Sequence, residues 1–202
     1  MRIGLNRQLR RSLSVTAAGM LAVTLTSCTA RGGGQLPPGS QFSGSASFGF
    51  SFSCEDKGGL NPRTGQLRIQ LSYTDHGGNP LGSSFSIHGT LDEIDPILES
   101  QICIGQNPAE PPGQLTFLGR YRLTSTAPKG FPASCPTSET ATTPLCRFEV
   151  TVRDNDKNRV PSMGDYFHIT LSNATALTSY FAPAQMAYSR GGTLSSGNLT
   201  VD

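Results

Sequence analysis

The chain has no tryptophan, only three histidines, and no stretch of a dozen residues with a convincing helical stripe. Each scarcity excludes something. Without tryptophan there is neither the Trp-centred core of an immunoglobulin domain nor a Trp platform for stacking sugars. Without helical periodicity an α/β nucleotide-binding fold has no crossover helices to build with, and no P-loop or Rossmann glycine pattern is present. Neither a G-x-S-x-G elbow nor an H-E-x-x-H pair occurs, so no local motif selects a hydrolase or zinc-peptidase centre. Beyond the N-terminal leader no apolar run is long enough for a membrane-spanning helix.

The leader itself is informative. Arg2, Arg7, Arg10 and Arg11 precede an uncharged run from Ser12 to Ser27 that ends in Leu25-Thr26-Ser27-Cys28. A basic head, a short apolar run and small residues before a cysteine read as a bacterial lipoprotein signal over 1–27, with Cys28 as the lipidated first residue of the mature chain. Several acyl chains would hold the protein stably on a membrane, where one holds it only marginally. Removing the leader takes away four arginines and no acids, leaving 12 basic against 14 acidic groups, a net of −2. The basic pI therefore belongs to the leader, and the mature chain offers no electrostatic footprint for nucleic acid.

Residues 28–44, CTARGGGQLPPGSQFSG, are mostly glycine, proline and polar groups and read as a flexible tether. The remaining 45–202 fit one domain. Apolar and polar residues alternate in ASFGFSFSC (46–54), QLRIQLSY (66–73), SFSIHGTL (84–91), QLTFLGRYRL (114–123), CRFEVTVRD (146–154), DYFHITLS (165–172) and GTLSSGNLTV (192–201), separated by turn clusters such as DHGGNPLG. The expected fold is all-β, an antiparallel β-sandwich of immunoglobulin-like or Greek-key type. With Cys28 lipidated, Cys54, Cys103, Cys135 and Cys146 form an even set in an oxidising compartment. Three disulfide connectivities are open; 54–103 with 135–146 is favoured because Cys135 and Cys146 flank one Pro/Ser/Thr-rich excursion.

Two metal readings arise. His76, His88 and His168 on a rigid β-scaffold would suit copper or, less well, zinc, and an open copper site could dismutate superoxide; but no H-x-H pair and no fourth histidine exists. Asp154, Asp156, Asn158 and Asp165 sit at alternating loop positions that suit calcium. Arg159 replaces the turn glycine of an EF-hand and Asp165 its bidentate glutamate, so the competing reading is a plain corner whose Asp and Asn side chains bond their own backbone. The triplets at Asn173 and Asn198 match the glycosylation signal and are treated as chance.

The order FGFSFS, GQLRIQLSYTDH, FSIHGTL, LTFLGRYRL, CRFEVTVRDND, GDYFHITL and GGTLSSGNLTV resembles the post-COAP type of bacterial surface domain over about 45–202. That resemblance implies a β-sandwich module of secreted or envelope proteins with no assigned activity. The insertions near 95–113 and 127–145 depart from its pattern, so any partner contacts private to this chain are expected there. The functional expectation is a lipid-anchored, exported accessory or structural module of a surface-layer or outer-membrane assembly. Its rival is a copper-dependent superoxide dismutase, and oligomeric state is not specified.

Overall fold

A computed structural model describes residues 28–55, 66–90, 113–125, 128, 131, 146–155, 163–172 and 186–201. They form nine strands: β1 (Cys28–Leu36), β2 (Ala46–Glu55), β3 (Gln66–Asp75), β4 (Phe85–Thr90), β5 (Gln114–Leu123), β6 (Cys146–Arg153), β7 (Tyr166–Ser172), β8 (Met186–Thr193) and β9 (Ser196–Val201). All pairings are antiparallel, in one sheet of order β8-β7-β6-β5-β4-β3-β2-β1-β9. The all-β antiparallel expectation holds. The sandwich of that expectation is not confirmed: among the described residues each strand from β1 to β8 pairs with the next, and the path is a meander in one sheet.

The sheet curls into a half-barrel, and two observations explain why it must. β8 and β9 are opposite edges of the sheet, yet only Leu194 and Ser195 separate them in the chain. Phe48 on β2 stacks on Phe167 of β7 with centroids 3.7 Å apart, although five strand spacings would hold these positions roughly 24 Å apart in a flat sheet. Alternation supplies the filling. Phe48, Phe50 and Phe52 of β2, Ile69, Leu71 and Tyr73 of β3, and Phe148, Val150 and Val152 of β6 all point inward and are buried. Phe50 and Phe52 lie 5.4 and 5.5 Å from Phe117, and Phe85 meets Tyr188 edge-on at 5.0 Å. Such aromatic pairs contribute about 0.5–1.5 kcal/mol each beyond their burial. Aromatic rings thus do the packing that a second sheet would do in a sandwich.

The expected tether is corrected most sharply. Residues 28–36 are β1, bonded to β2 along its whole length and to β9 from Ala30 to Gln35. Its glycines are there for close approach. A Cβ on Gly32 would come within 2.5 Å of the Asn198 carbonyl oxygen, and one on Gly34 within 2.5 Å of the Ser196 oxygen. Side chains at either place would push β9 off the sheet, so a composition that reads as a linker serves a tightly packed strand. Only Pro37 to Ser45 remains as connection, and it is tied back by the paired bonds between Gly39 and Phe42 and by Ser43 N to the Gly78 oxygen.

Candidate functional site

Two faces divide the polar residues. Inside the half-barrel, Asp75 ends the inward row that begins with Leu71 and Tyr73, and it is fully buried. Its Oδ2 accepts from Tyr188 Oη at 2.5 Å and from Arg190 Nη1 at 2.9 Å; its Oδ1 accepts from Gly77 N and Asn79 Nδ2, both at 2.8 Å. Tyr73 and Tyr188 share a 2.6 Å hydrogen bond. The other guanidinium nitrogen donates to the carbonyl oxygens of Pro37 and Gly44, while its carbon lies 4.5 Å above the Phe42 ring. Burial first, and then the nearby Asp75 carboxylate, raise the phenols of Tyr73 and Tyr188 well above the usual tyrosine value, with Tyr73 adding to the rise at Tyr188. Burial opposes the charge of Arg190, but the Tyr73, Asp75 and Tyr188 oxygens together outweigh it and hold the guanidinium above its ordinary value. Both carboxylate oxygens, both phenol oxygens and both terminal guanidinium nitrogens here have protein partners. The cluster fastens edge strand β8 to the end of β3 and to the β1–β2 connection.

The carboxylates of the suggested calcium loop have a comparable task. Asp165 Oδ2 accepts from the backbone nitrogen of Leu199 at 2.8 Å and Oδ1 from that of Asn155 at 3.1 Å; Asp154 Oδ2 accepts from Val201 N at 3.4 Å. Asn155 Nδ2 donates to the Gly164 oxygen at 2.7 Å. Asp154 and Asp165 therefore cap amides on β9, a sheet edge that would otherwise stay open. Asp156 lies outside the described residues, and among the described residues no group of three His, Cys, Asp or Glu could hold a metal ion.

The three histidines do not meet. His88 on β4 and His168 on β7 have two strands between them, about 14 Å along the sheet. His76 lies in the turn after β3 with its Nε2 3.0 Å from Ser47 Oγ. Both strand histidines do project from the outer face as alternation requires, but neighbouring strands were needed to bring them together. The shared copper or zinc site is therefore not assembled. His168 Nε2 lies 3.0 Å from Ser189 Oγ, and burial lowers its pKa. No carboxylate among the described residues orients its other ring nitrogen, so this pair stops short of a Ser-His-Asp arrangement.

Cys146 is buried and disulfide-bonded. Cys103 and Cys135 lie outside the described residues, as do the leader and nearly all of both insertions. Cys28 and Cys54 stand opposite each other in the β1–β2 register.

What remains on the outer face is a groove of about 330 Å³ over β2, β3 and β4, lined by Gly49, Ser51, Gln70, Ser72 and His88 and floored by the backbone of Phe50 and Leu71. Gly49, Ser72 and His88 are in register, with Gly33 beyond on β1 and Arg122 on β5. The hollow exists because two outward positions, Gly33 and Gly49, carry no side chain. The signal for it was readable as a glycine in the polar phase of FGFSFS. Asp75 and Arg190 were also missed, though Asp75 keeps the phase of an apolar row and so announces a buried charge in search of a partner.

No family model, curated protein or solved structure matches this chain.

Proposed function

We propose that this chain works by association in the cell envelope, as an exported, lipid-anchored accessory or structural module of a surface assembly of the surface-layer or outer-membrane type. The observation that carries this reading is the division of labour between the faces. Asp75, Asp154 and Asp165, with Tyr73 and Tyr188, are spent on holding the half-barrel together, so these inward acids and phenols of the described residues are engaged in structure. The outer face carries the groups still available for contact. The L-T-S-C leader supports the anchor, and the post-COAP-like order of strands supports the surface setting. With Cys28 acylated, the lipid would attach to the first residue of β1, and the sheet would stand directly on the bilayer with no slack.

Extraction of the native envelope with a mild detergent, after chemical cross-linking and followed by mass spectrometry, tests the reading. Cross-links to envelope proteins and an acylated Cys28 peptide are expected. Recovery of an unacylated chain in the aqueous fraction, free of cross-links, would refute it.

A further inference from the structure

The groove at Gly49 has a chemistry of its own. On other parts of the outer face several polar side chains satisfy one another: Thr74 bonds Ser86 at 2.9 Å, Thr116 bonds Thr151 at 3.0 Å, and Ser189 joins His168 and Thr170 at 3.0 and 3.4 Å. In the groove they do not. Ser51, Gln70 and His88 line it without a hydrogen bond to any other residue, and Ser72 reaches only the Gly49 oxygen, at 3.4 Å. A hydroxyl pair, an amide and an imidazole are left pointing at one hollow.

Charge narrows the ligand. The exposed Arg31 lies beside Ser51 in register, at the β1 side of the groove. Of the carboxylates whose side chains are described, Asp75, Asp154 and Asp165 are buried, and Glu149 is two strands from His88, on β6. The neutral donors that line the hollow therefore have the cationic Arg31 beside them, which favours an anion bearing hydroxyl groups. The aromatic side chains of β2 to β5 all point into the half-barrel, so no ring on this stretch of the outer face could stack on an uncharged sugar. Nor is there an apolar lip for acyl chains among the described residues, where the exposed large apolar side chains, Met163 and Met186, do not line the groove.

We propose that this groove binds a strand of acidic polysaccharide, its carboxylate or sulfate groups met by Arg31 and His88 and its hydroxyls by Ser51, Gln70 and Ser72. The choice of a polymer rests on the envelope setting proposed above; the groove and its anion preference do not.

Gly49 supplies the test. A Cβ there would make only an ordinary 3.4 Å contact with Ser72 Oγ, and the residue is not in the left-handed region. Gly49→Ile should fill the hollow while suiting a strand. The purified chain is titrated with polygalacturonate, with the same polymer methyl-esterified, and with phosphatidylglycerol vesicles. Binding to polygalacturonate alone is expected, weakened about tenfold or more by Gly49→Ile and about threefold by Arg31→Gln, and declining with salt. Gln70→Glu, which changes charge but not shape, serves if Gly49→Ile melts early, and it should abolish binding. Equal binding of the esterified polymer, stronger binding to the vesicles, or unchanged affinity in Gln70→Glu would each overturn the proposal. Failure to bind polygalacturonate by a chain that still cross-links to envelope proteins would sink the groove and leave the association reading standing.

Discussion

Asp75→Ala is the perturbation whose cost the structure lets us work out most fully. It removes one carboxylate and strands four donors: Arg190 Nη1, Tyr188 Oη, Gly77 N and Asn79 Nδ2. Arg190 has a side chain only 2% exposed, and breaking a buried ion pair from one side costs about 3–5 kcal/mol. The neutral donors add to this, but less than their separate costs of about 1–3 kcal/mol, because they share one acceptor and relax together. A loss of about 4 kcal/mol is a large part of the 5–15 kcal/mol typical of a domain, and for a domain of this size it lowers Tm by roughly 8–16 °C. Urea melts followed by tyrosine emission measure it, tryptophan being absent. Two controls make the reasoning refutable. The loss should be nearly the same at 1 M salt, since a buried pair is poorly screened. Adding Arg190→Met to Asp75→Leu should recover much of what either variant loses, because an apolar pair of matching bulk needs no counter-charge. A cost below about 1 kcal/mol, or strictly additive losses in the double variant, would show that β8 is held by its ladder with β7 and not by this cluster.

Other outcomes follow from the same geometry. Burial raises the Tyr73, Tyr121 and Tyr188 phenols, so their contribution is complete below pH about 10 and is lost as pH rises beyond it; alkaline unfolding should soften in Tyr121→Phe. Burial lowers the His168 pKa, a contribution present above about 6.5 and lost as pH falls through the folded value, so His168→Gln should flatten the fall in Tm on the acid side. Glu149 is held above the usual carboxylate range by burial, which makes its ionised form a liability at neutral pH; Glu149→Gln should raise Tm at pH 7 and do less at pH 4. Asp165→Ala should cost about 1–3 kcal/mol by orphaning Leu199 N and Asn155 N, and millimolar calcium should leave the wild-type Tm unmoved. Calcium-dependent stabilisation would reopen the metal reading.

Six strands were legible because they alternate strictly. Phe48, Phe50 and Phe52 against Ser47, Ser51 and Ser53 leave no choice of face, and β2 through β7 fall where that pattern puts them. β1 and β8 were not legible, for one physical reason. CTARGGGQL and MAYSRGGT each hide a strand under glycines, since a glycine that lets another backbone or ring approach looks, in composition, like a glycine that confers freedom. A Cβ on Gly191 would come within 2.9 Å of the His168 Cβ and Cγ, so the residue serves packing and not a turn. The stretch 192–201 read as one strand because the two-residue corner at Leu194 and Ser195 carries neither glycine nor proline. The half-barrel was hidden by the same omission: without β1, nothing in the sequence joined the last strand to the first.

Function was less legible than fold because the residues with chemical character were put to structural use. Carboxylates at a sheet corner look alike whether they await calcium or cap amides; only the neighbouring strand decides, and β9 arrives from more than thirty positions away in the chain to take the bonds of Asp165. Histidine phase along β4 and β7 was correct, yet phase fixes the face and not the order of strands, and two intervening strands are enough to undo a metal site. The groove at Gly49 inverts this relation. Its informative residue is one with no side chain, and its informative property is that Ser51, Gln70 and His88 line one hollow without bonds to one another, where Thr74 and Ser86 or His168 and Ser189 are paired. Where a sheet spends its carboxylates on its own closure and leaves a set of donors idle on one patch, recognition is more economically sought in the idle set than in the acids.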